Sequence, residues 1–330
     1  MPNSSNGSGS DARSAVPANL TFVPGHRKLL ALDIDGTLLN TVDPNGDWYR
    51  TETLDSIPAV DLAVQRRIAE LLNRVARGQQ LSVGICTGRN RKFMDEILLR
   101  SGLTADWLIM CAGSVVVRDT KLVPVESEIY PCLINQPPDC WYTHAPDQPP
   151  GENDLGQWLD FSPAERGRVL DQILVHLAEQ CRANLDQHQV TVKKFPAEVT
   201  IQFPKSWTGE MIETLLTDHV PGFMPHHHQL FAYTTLLGQA WLVFGAVDKG
   251  TAIRYLLGDR DQLALYCGDG FNDLPAMVHA KAVILPEDHV PGTVEKLQAS
   301  GWNGELIIGD GAHCHGVLDG LERYFKEHPF

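Results

Sequence analysis

The sequence has little positive charge: 27 Lys and Arg stand against 41 Asp and Glu, a formal net charge of -14. Nucleic acid and anionic membrane both call for a basic footprint, so neither is expected as a partner. A phosphate ligand would have to find its positive charge in a metal ion and a few local groups. Cysteine is also sparse, seven in 330 residues, odd in number and without a Cys-x-x-Cys pair. That excludes a disulfide or multi-cysteine zinc framework and suits reduced core thiols in the cytoplasm. No apolar run is long enough to span a bilayer, and a soluble protein is expected. Residues 1–25 are rich in Ser, Asn, Gly and Pro and lack an apolar h-region, which predicts a disordered leader.

What is present is ample apolar content, 43%, enough for the cores of two domains. Leu29-Leu30-Ala31-Leu32-Asp33-Ile34-Asp35-Gly36 is a short apolar run closed by two aspartates and a glycine. It reads as a buried strand that delivers Asp33 to a loop, and the strand's end is where open α/β sheets bind ligands. Asp35 can fold back toward the same pocket, which suits a nucleophile beside an acid/base; an acidic surface turn is the equal alternative.

Residues 40–58 read as a loop. A helix follows with Leu62, Ile68, Leu71, Leu72 and Val75 at helical spacing, then the strand Leu81 to Cys86, ending in Thr87-Gly88-Arg89. A helix carrying Met94, Ile97 and Leu98 and a strand from Trp107 to Met110 complete a β-α-β-α-β order, which implies a doubly wound parallel sheet. From about Val125 the texture changes. A Pro-, Asp- and Gly-rich linker over 131–156 leads to a capped helix from Pro163, strands at 190–195 and 198–203, a helix at 207–219 and strands at 230–235 and 240–244. The α/β texture then resumes with a helix opened by Lys249-Gly250, the strand Leu263 to Cys267, and Gly268-Asp269-Gly270-Phe271-Asn272-Asp273.

Taken singly, each motif has an ordinary reading as a cap, a solvated lysine or a turn. Taken in order, Asp33-Ile34-Asp35-Gly36-Thr37-Leu38, Thr87-Gly88-Arg89, Asp248-Lys249-Gly250 and the Gly268–Asp273 loop resemble the haloacid dehalogenase superfamily. The resemblance implies a doubly wound α/β core over 26–125 and 245–330. The inserted α+β module at 126–244 is similar to a C2B cap.

The residue types suit Mg²⁺-dependent phosphoryl transfer from a small phosphate monoester. Asp33 would be the nucleophile and Asp35 the acid/base. Mg²⁺ would be held by Asp33, the Asp35 carbonyl, Asp269 and Asp273, the last directly or through water. Thr87, Gly88, Lys249 and Asn272 would hold the phosphate. Arg89 either pairs with a local carboxylate or meets substrate.

In this superfamily the cap selects the leaving group. Trp141, Tyr142, Lys193, Lys194, Glu198, Gln202 and Trp207 are its candidates for sugar hydroxyls. The stretch Asp106 to Ser114 is similar to the sucrose-phosphate phosphatase branch, whereas the motifs around Lys249 and Asp269 are closer to Cof-type sugar phosphatases. The expected reaction is hydrolysis of a sugar or sugar-like phosphate. A phosphohexomutase of the same cap type and a non-catalytic regulator docked on a sugar-phosphate synthase are the alternatives.

Overall fold

The computed structural model describes residues 28–39, 59–77, 81–89, 91–113, 115–117, 120, 128–129, 163–195, 198–204, 206–219, 230–234, 239–244, 248–258 and 261–328. The leader expected over 1–25, the loop over 40–58, the linker over 131–156, Trp141 and Tyr142 lie outside the described residues.

In chain order the elements begin with β1 (Lys28–Leu32), α1 (Ala59–Arg77), β2 (Leu81–Cys86), α2 (Arg91–Ser101), β3 (Trp107–Met110), β4 (Val115–Val117) and β5 (Glu128–Ile129). Then come α3 (Pro163–Leu185), β6 (Thr191–Phe195), β7 (Glu198–Gln202), α4 (Gly209–His219), β8 (Leu230–Thr234) and β9 (Gln239–Phe244). The last group is α5 (Lys249–Leu257), β10 (Gln262–Cys267), the short α6 (Leu274–Met277), β11 (Ala280–Pro286), α7 (Thr293–Ala299), β12 (Glu305–Gly309) and α8 (Cys314–Glu327).

Two sheets result. The larger has eight strands in the order β12-β11-β10-β1-β2-β3-β4-β5, parallel from β12 to β3. The strands β4 and β5 at one edge are antiparallel. The smaller is the antiparallel sheet β6-β7-β9-β8, formed from the chain between β5 and α5.

β1 and β2 are continuous apolar runs because both faces of the sheet are covered. Leu29 and Ala31 pack on the face that carries Ala252, Ile253 and Leu256 of α5. Leu30 and Leu32 pack on the other, with Ile68 and Leu72 of α1 and Leu321 of α8. Strand alternation therefore points Asp33, next after Leu32, toward the α5 face. The strand order also reverses here: β2 and β3 extend the sheet to one side of β1, and β10 to β12 extend it to the other. The crevice at such a switch point is where doubly wound sheets place ligands.

Packing between β2 and β3 is close enough to require glycine. Trp107, 2% exposed, lies where a side chain on Gly84 would project. Overpacking a filled core costs about 1–3 kcal/mol. Gly84→Ala is therefore expected to lower the urea-unfolding free energy by about that amount and to shift Trp107 emission, and unchanged stability would refute the close packing.

Candidate active site

Asp33 leaves the end of β1 with its amide donating to the Cys267 carbonyl of β10 at 2.8 Å. Lys249 arrives from the first turn of α5, which Asp248 caps by accepting the Thr251 amide at 2.6 Å. The Lys249 side chain is buried, and its Nζ donates to Asp33 Oδ1 at 2.7 Å and to Asp273 Oδ1 at 2.6 Å. Burial alone would lower the pKa of Lys249, but the Asp273 and Asp33 charges outweigh it and hold the ammonium well above its ordinary range.

Asp273 is anchored on every side. Its Oδ1 also accepts the Tyr266 hydroxyl at 2.6 Å, and Oδ2 accepts the amides of Asp269 and Gly270 at 3.1 and 3.3 Å. One carboxylate thus organises the Lys249 ammonium and the Gly268–Asp273 loop together. Asp269 stands at the rim, with its carboxylate against Gly36, where φ is +76° and any side chain would collide with it. Glycine is required there for two strand-end loops to close on one another.

Carboxylate oxygens of Asp33, Asp269 and Asp273 lie within 4.8 Å of one another. Three carboxylates around one ammonium leave an excess of negative charge in a poorly solvated place. Burial, then the Asp273 charge, push Asp33 from its ordinary 3.8 up to about 8, with Lys249 opposing. Burial followed by the charges of Asp273 and Asp33 also raises Asp269. Asp33 Oδ2 is buried and has no hydrogen-bond partner among the described residues. An orphaned acceptor beside surplus acidic charge, with oxygen donors throughout, fits a hard divalent cation such as Mg²⁺.

The second loop is built differently. Arg89 holds Asp35 in a fork, Nε to Oδ2 at 2.8 Å and Nη2 to Oδ1 at 2.6 Å. Of the two readings of Arg89, the structure therefore shows pairing with a local carboxylate. Thr87 is buried at the end of β2, its Oγ1 accepting the Arg89 amide at 3.1 Å, and Gly88 is exposed beside it. Asn272 is exposed on the loop before α6.

The residues expected on the cap fall on the smaller sheet. Lys193 pairs with Thr200 and is exposed, as is Gln202 two residues on; Glu198 occupies the alternate position before Thr200. Lys194 alternates to the other face with Val199 and Ile201, which are buried among residues of α3 and α4. The two adjacent lysines thus do not share a face. Trp207 precedes α4 and packs on Phe203, with ring centroids 5.7 Å apart.

Two features escaped the sequence reading. Tyr266 was legible in principle, since a tyrosine inside a buried strand needs a partner for its hydroxyl. The turn Cys111-Ala112-Gly113 carries no such signal. Cys111 and Ala112 sit at φ 50° and 54°, a conformation that costs on the order of 1–3 kcal/mol per residue. Their amides donate to the carbonyls of Arg89 and Thr87 at 3.0 and 3.1 Å, so the strain is stored where it holds the Thr87–Arg89 loop.

No protein-family model matches the sequence, and no curated protein matches it. Solved structures do. The sucrose-phosphatase of Synechocystis sp. PCC6803, determined with sucrose and phosphate, is 15% identical, and the match covers 91% of this chain and 98% of that one with a TM-score of 0.53. A protein described as a HAD/COF-like hydrolase from Plasmodium vivax is 17% identical over 92% of this chain and 96% of its own, with a TM-score of 0.50. These likenesses define the fold class, the haloacid dehalogenase-like α/β fold.

Without metal, Asp33 keeps a proton between about pH 4 and about pH 8 that the unfolded chain has already lost, so the native state loses stability as pH rises through this interval. His313 acts in the same direction: burial lowers its pKa, but Asp288 outweighs burial and raises it. The Mg²⁺-sensitive part of the decline isolates the acidic group. The melting temperature of metal-stripped protein is expected to fall from pH 5 to pH 8, and added Mg²⁺ to remove much of that fall. Identical profiles with and without Mg²⁺ would count against cation binding at this group.

Proposed function

We propose that this chain is a Mg²⁺-dependent phosphatase that hydrolyses a sugar or sugar-like phosphate monoester through an aspartyl-phosphate on Asp33. The observation that carries the reading is the buried Asp33–Lys249–Asp273 group at the switch point of the sheet. One oxygen of Asp33 is held there by Lys249 and the other has no partner among the described residues. A structural ion pair has no need of an orphaned carboxylate oxygen, whereas a nucleophile does.

In this mechanism Asp33 Oδ2 attacks phosphorus as the bond from phosphorus to the leaving oxygen breaks, and Asp35 gives that oxygen its proton. Water then attacks the phosphorus, Asp35 takes a proton from it, and the bond from phosphorus to Oδ2 breaks to release phosphate. Asp33, Asp269 and the Asp35 carbonyl would hold Mg²⁺, with Asp273 behind them meeting the ion through water because its own oxygens are engaged. The ion would neutralise charge between carboxylate and phosphate. Lys249, the Thr87 hydroxyl, the Gly88 amide and Asn272 bind the phosphate oxygens.

Both oxygens of Asp35 are engaged by Arg89 while the fork is closed. The incoming phosphate competes for the guanidinium, which frees Asp35 and gives Arg89 its contact with substrate. Residues 126–244 act as the cap, with Lys193, Glu198 and Gln202 as the candidates for the leaving group on one run of alternate positions. Support for a sugar comes from the sucrose-phosphatase of the same fold and from these hydrogen-bonding side chains.

The test is a phosphate-release screen over sugar phosphates with and without Mg²⁺, repeated with Asp33→Asn. The wild-type protein should release phosphate only with Mg²⁺, and Asp33→Asn should lose at least about 10³-fold while keeping its fold. Substantial turnover in Asp33→Asn would remove Asp33 as the nucleophile. An isomerised sugar phosphate in place of free phosphate would mark a mutase.

A further inference from the structure

Behind the Asp33 loop, on the opposite face of the large sheet, three side chains of different chemistry converge. Asp61 in the first turn of α1 and Cys314 and His315 at the start of α8 bring a carboxylate oxygen, a thiol sulfur and an imidazole nitrogen within 4.8 Å of one another. His315 Nε2 lies 3.4 Å from Asp61 Oδ1. That is long for a hydrogen bond, but it matches the edge of about 3.3 Å between two ligands of a tetrahedral ion held at about 2.0–2.1 Å.

Cys314 is 1% exposed, and its sulfur makes a contact of only 4.0 Å, with the Asp61 carbonyl. A buried thiol is thus aimed into the cluster without a good partner there. Burial, then the Asp61 charge, push the Cys314 thiol up to about 12, with the amides of Cys314 and His315 opposing, so an ion bound here would have to displace the thiol proton. Among the described residues, the ion partners of Asp61 and Asp288 are the imidazoles of His315 and His313, with no lysine or arginine between them. His313 itself is braced: its amide and Nδ1 both donate to Asp288, each at 2.8 Å.

We propose that Asp61, Cys314 and His315 form a second metal site, for a divalent ion of the zinc class, with water completing the tetrahedron. Mixed sulfur, nitrogen and oxygen donors select such an ion over Mg²⁺, which prefers oxygen alone. The two acidic regions thus sort hard from borderline-soft cations by donor type.

The site ties α1 to α8, and both helices touch the loop that carries Asp35. Gln65 of α1 donates to the Leu38 carbonyl at 2.8 Å, and His313, just before α8, lies 3.4 Å from the Gly36 carbonyl. An ion holding these helix starts together clamps the 34–39 loop from behind. The inference does not depend on the proposed phosphatase reaction.

Cobalt(II) is the probe, titrated into the metal-stripped full chain with excess Mg²⁺ present to fill the all-oxygen site. The expected result is one equivalent bound with a thiolate-to-cobalt charge-transfer band. Cys314→Ser abolishes the band, and His315→Ala weakens binding by at least about tenfold. His315 is an exposed residue, so this second variant keeps the test decisive if Cys314→Ser fails to fold. Asp33→Asn keeps the band, which separates this site from the catalytic group. Absence of the band in the wild-type chain, or an unchanged band and affinity in either ligand variant, overturns the proposal.

Discussion

The arrangement depends on one buried cation. The Lys249 ammonium is removed from water, and a charge so placed is tolerated only when opposite charges and hydrogen bonds surround it. Asp33 and Asp273 supply them, and their own burial is tolerated because Lys249 lies between them. The three residues come from β1, the first turn of α5 and the loop after β10, parts of the chain separated by 216 and 24 residues. Removing Lys249 leaves two buried carboxylates without their cation, which for such groups costs about 3–5 kcal/mol, whereas loss of either aspartate leaves Lys249 paired with the other. The fold and the site are therefore one problem: the switch point of the sheet is held together by the groups that would perform the chemistry.

Much of this was legible from residue order. Continuous apolar runs ending in Asp33, Thr87 and Asp269 place those residues at strand ends, and the structure has them at the C-terminal ends of β1, β2 and β10. The alternation of Leu29, Ala31 and Asp33 even specifies the face on which Lys249 waits. What pattern could not supply was partnership. The sequence offers Asp273 as one more oxygen for a metal, whereas the structure spends its oxygens on Lys249, Tyr266 and two amides. That distinction turns on distances across the sheet and leaves no periodic trace. Lys193 and Lys194 show the same limit. Their charge suggests a shared ligand, but strand pleating sends them to opposite faces.

Backbone strain is equally silent in the sequence. Cys111 and Ala112 are ordinary residues for the end of a strand, yet they adopt left-handed conformations because their amides must turn back onto the Thr87–Arg89 loop. Gly113 follows at the point where a side chain would strike the Asp248 carbonyl at the start of α5. One turn thus fixes the spacing between the loop that carries Arg89 and the helix that carries Lys249. The cost of that strain is borne by the buried sheet around it, where Trp107, Leu108, Ile109 and Met110 are nearly or wholly inaccessible. This is the pattern expected when a rigid scaffold holds a local geometry it would not otherwise favour.

The two arginine and lysine contacts then differ in a way that bears on mechanism. Lys249 is enclosed, 1% exposed, and bridges two carboxylates from a helix start it cannot leave without exposing charge. Arg89 is partly exposed, its side chain at 24%, and it grips Asp35, at 19%, from a loop at the mouth of the site. A bidentate fork in that position is directional but replaceable, since phosphate offers the same pair of oxygens with more charge. The enclosed lysine suits a permanent electrostatic floor, and the accessible arginine suits a contact exchanged on binding. If Asp35 is the acid/base, its availability is tied to ligand through Arg89. A carboxylate without such a partner would stand open to water at all times.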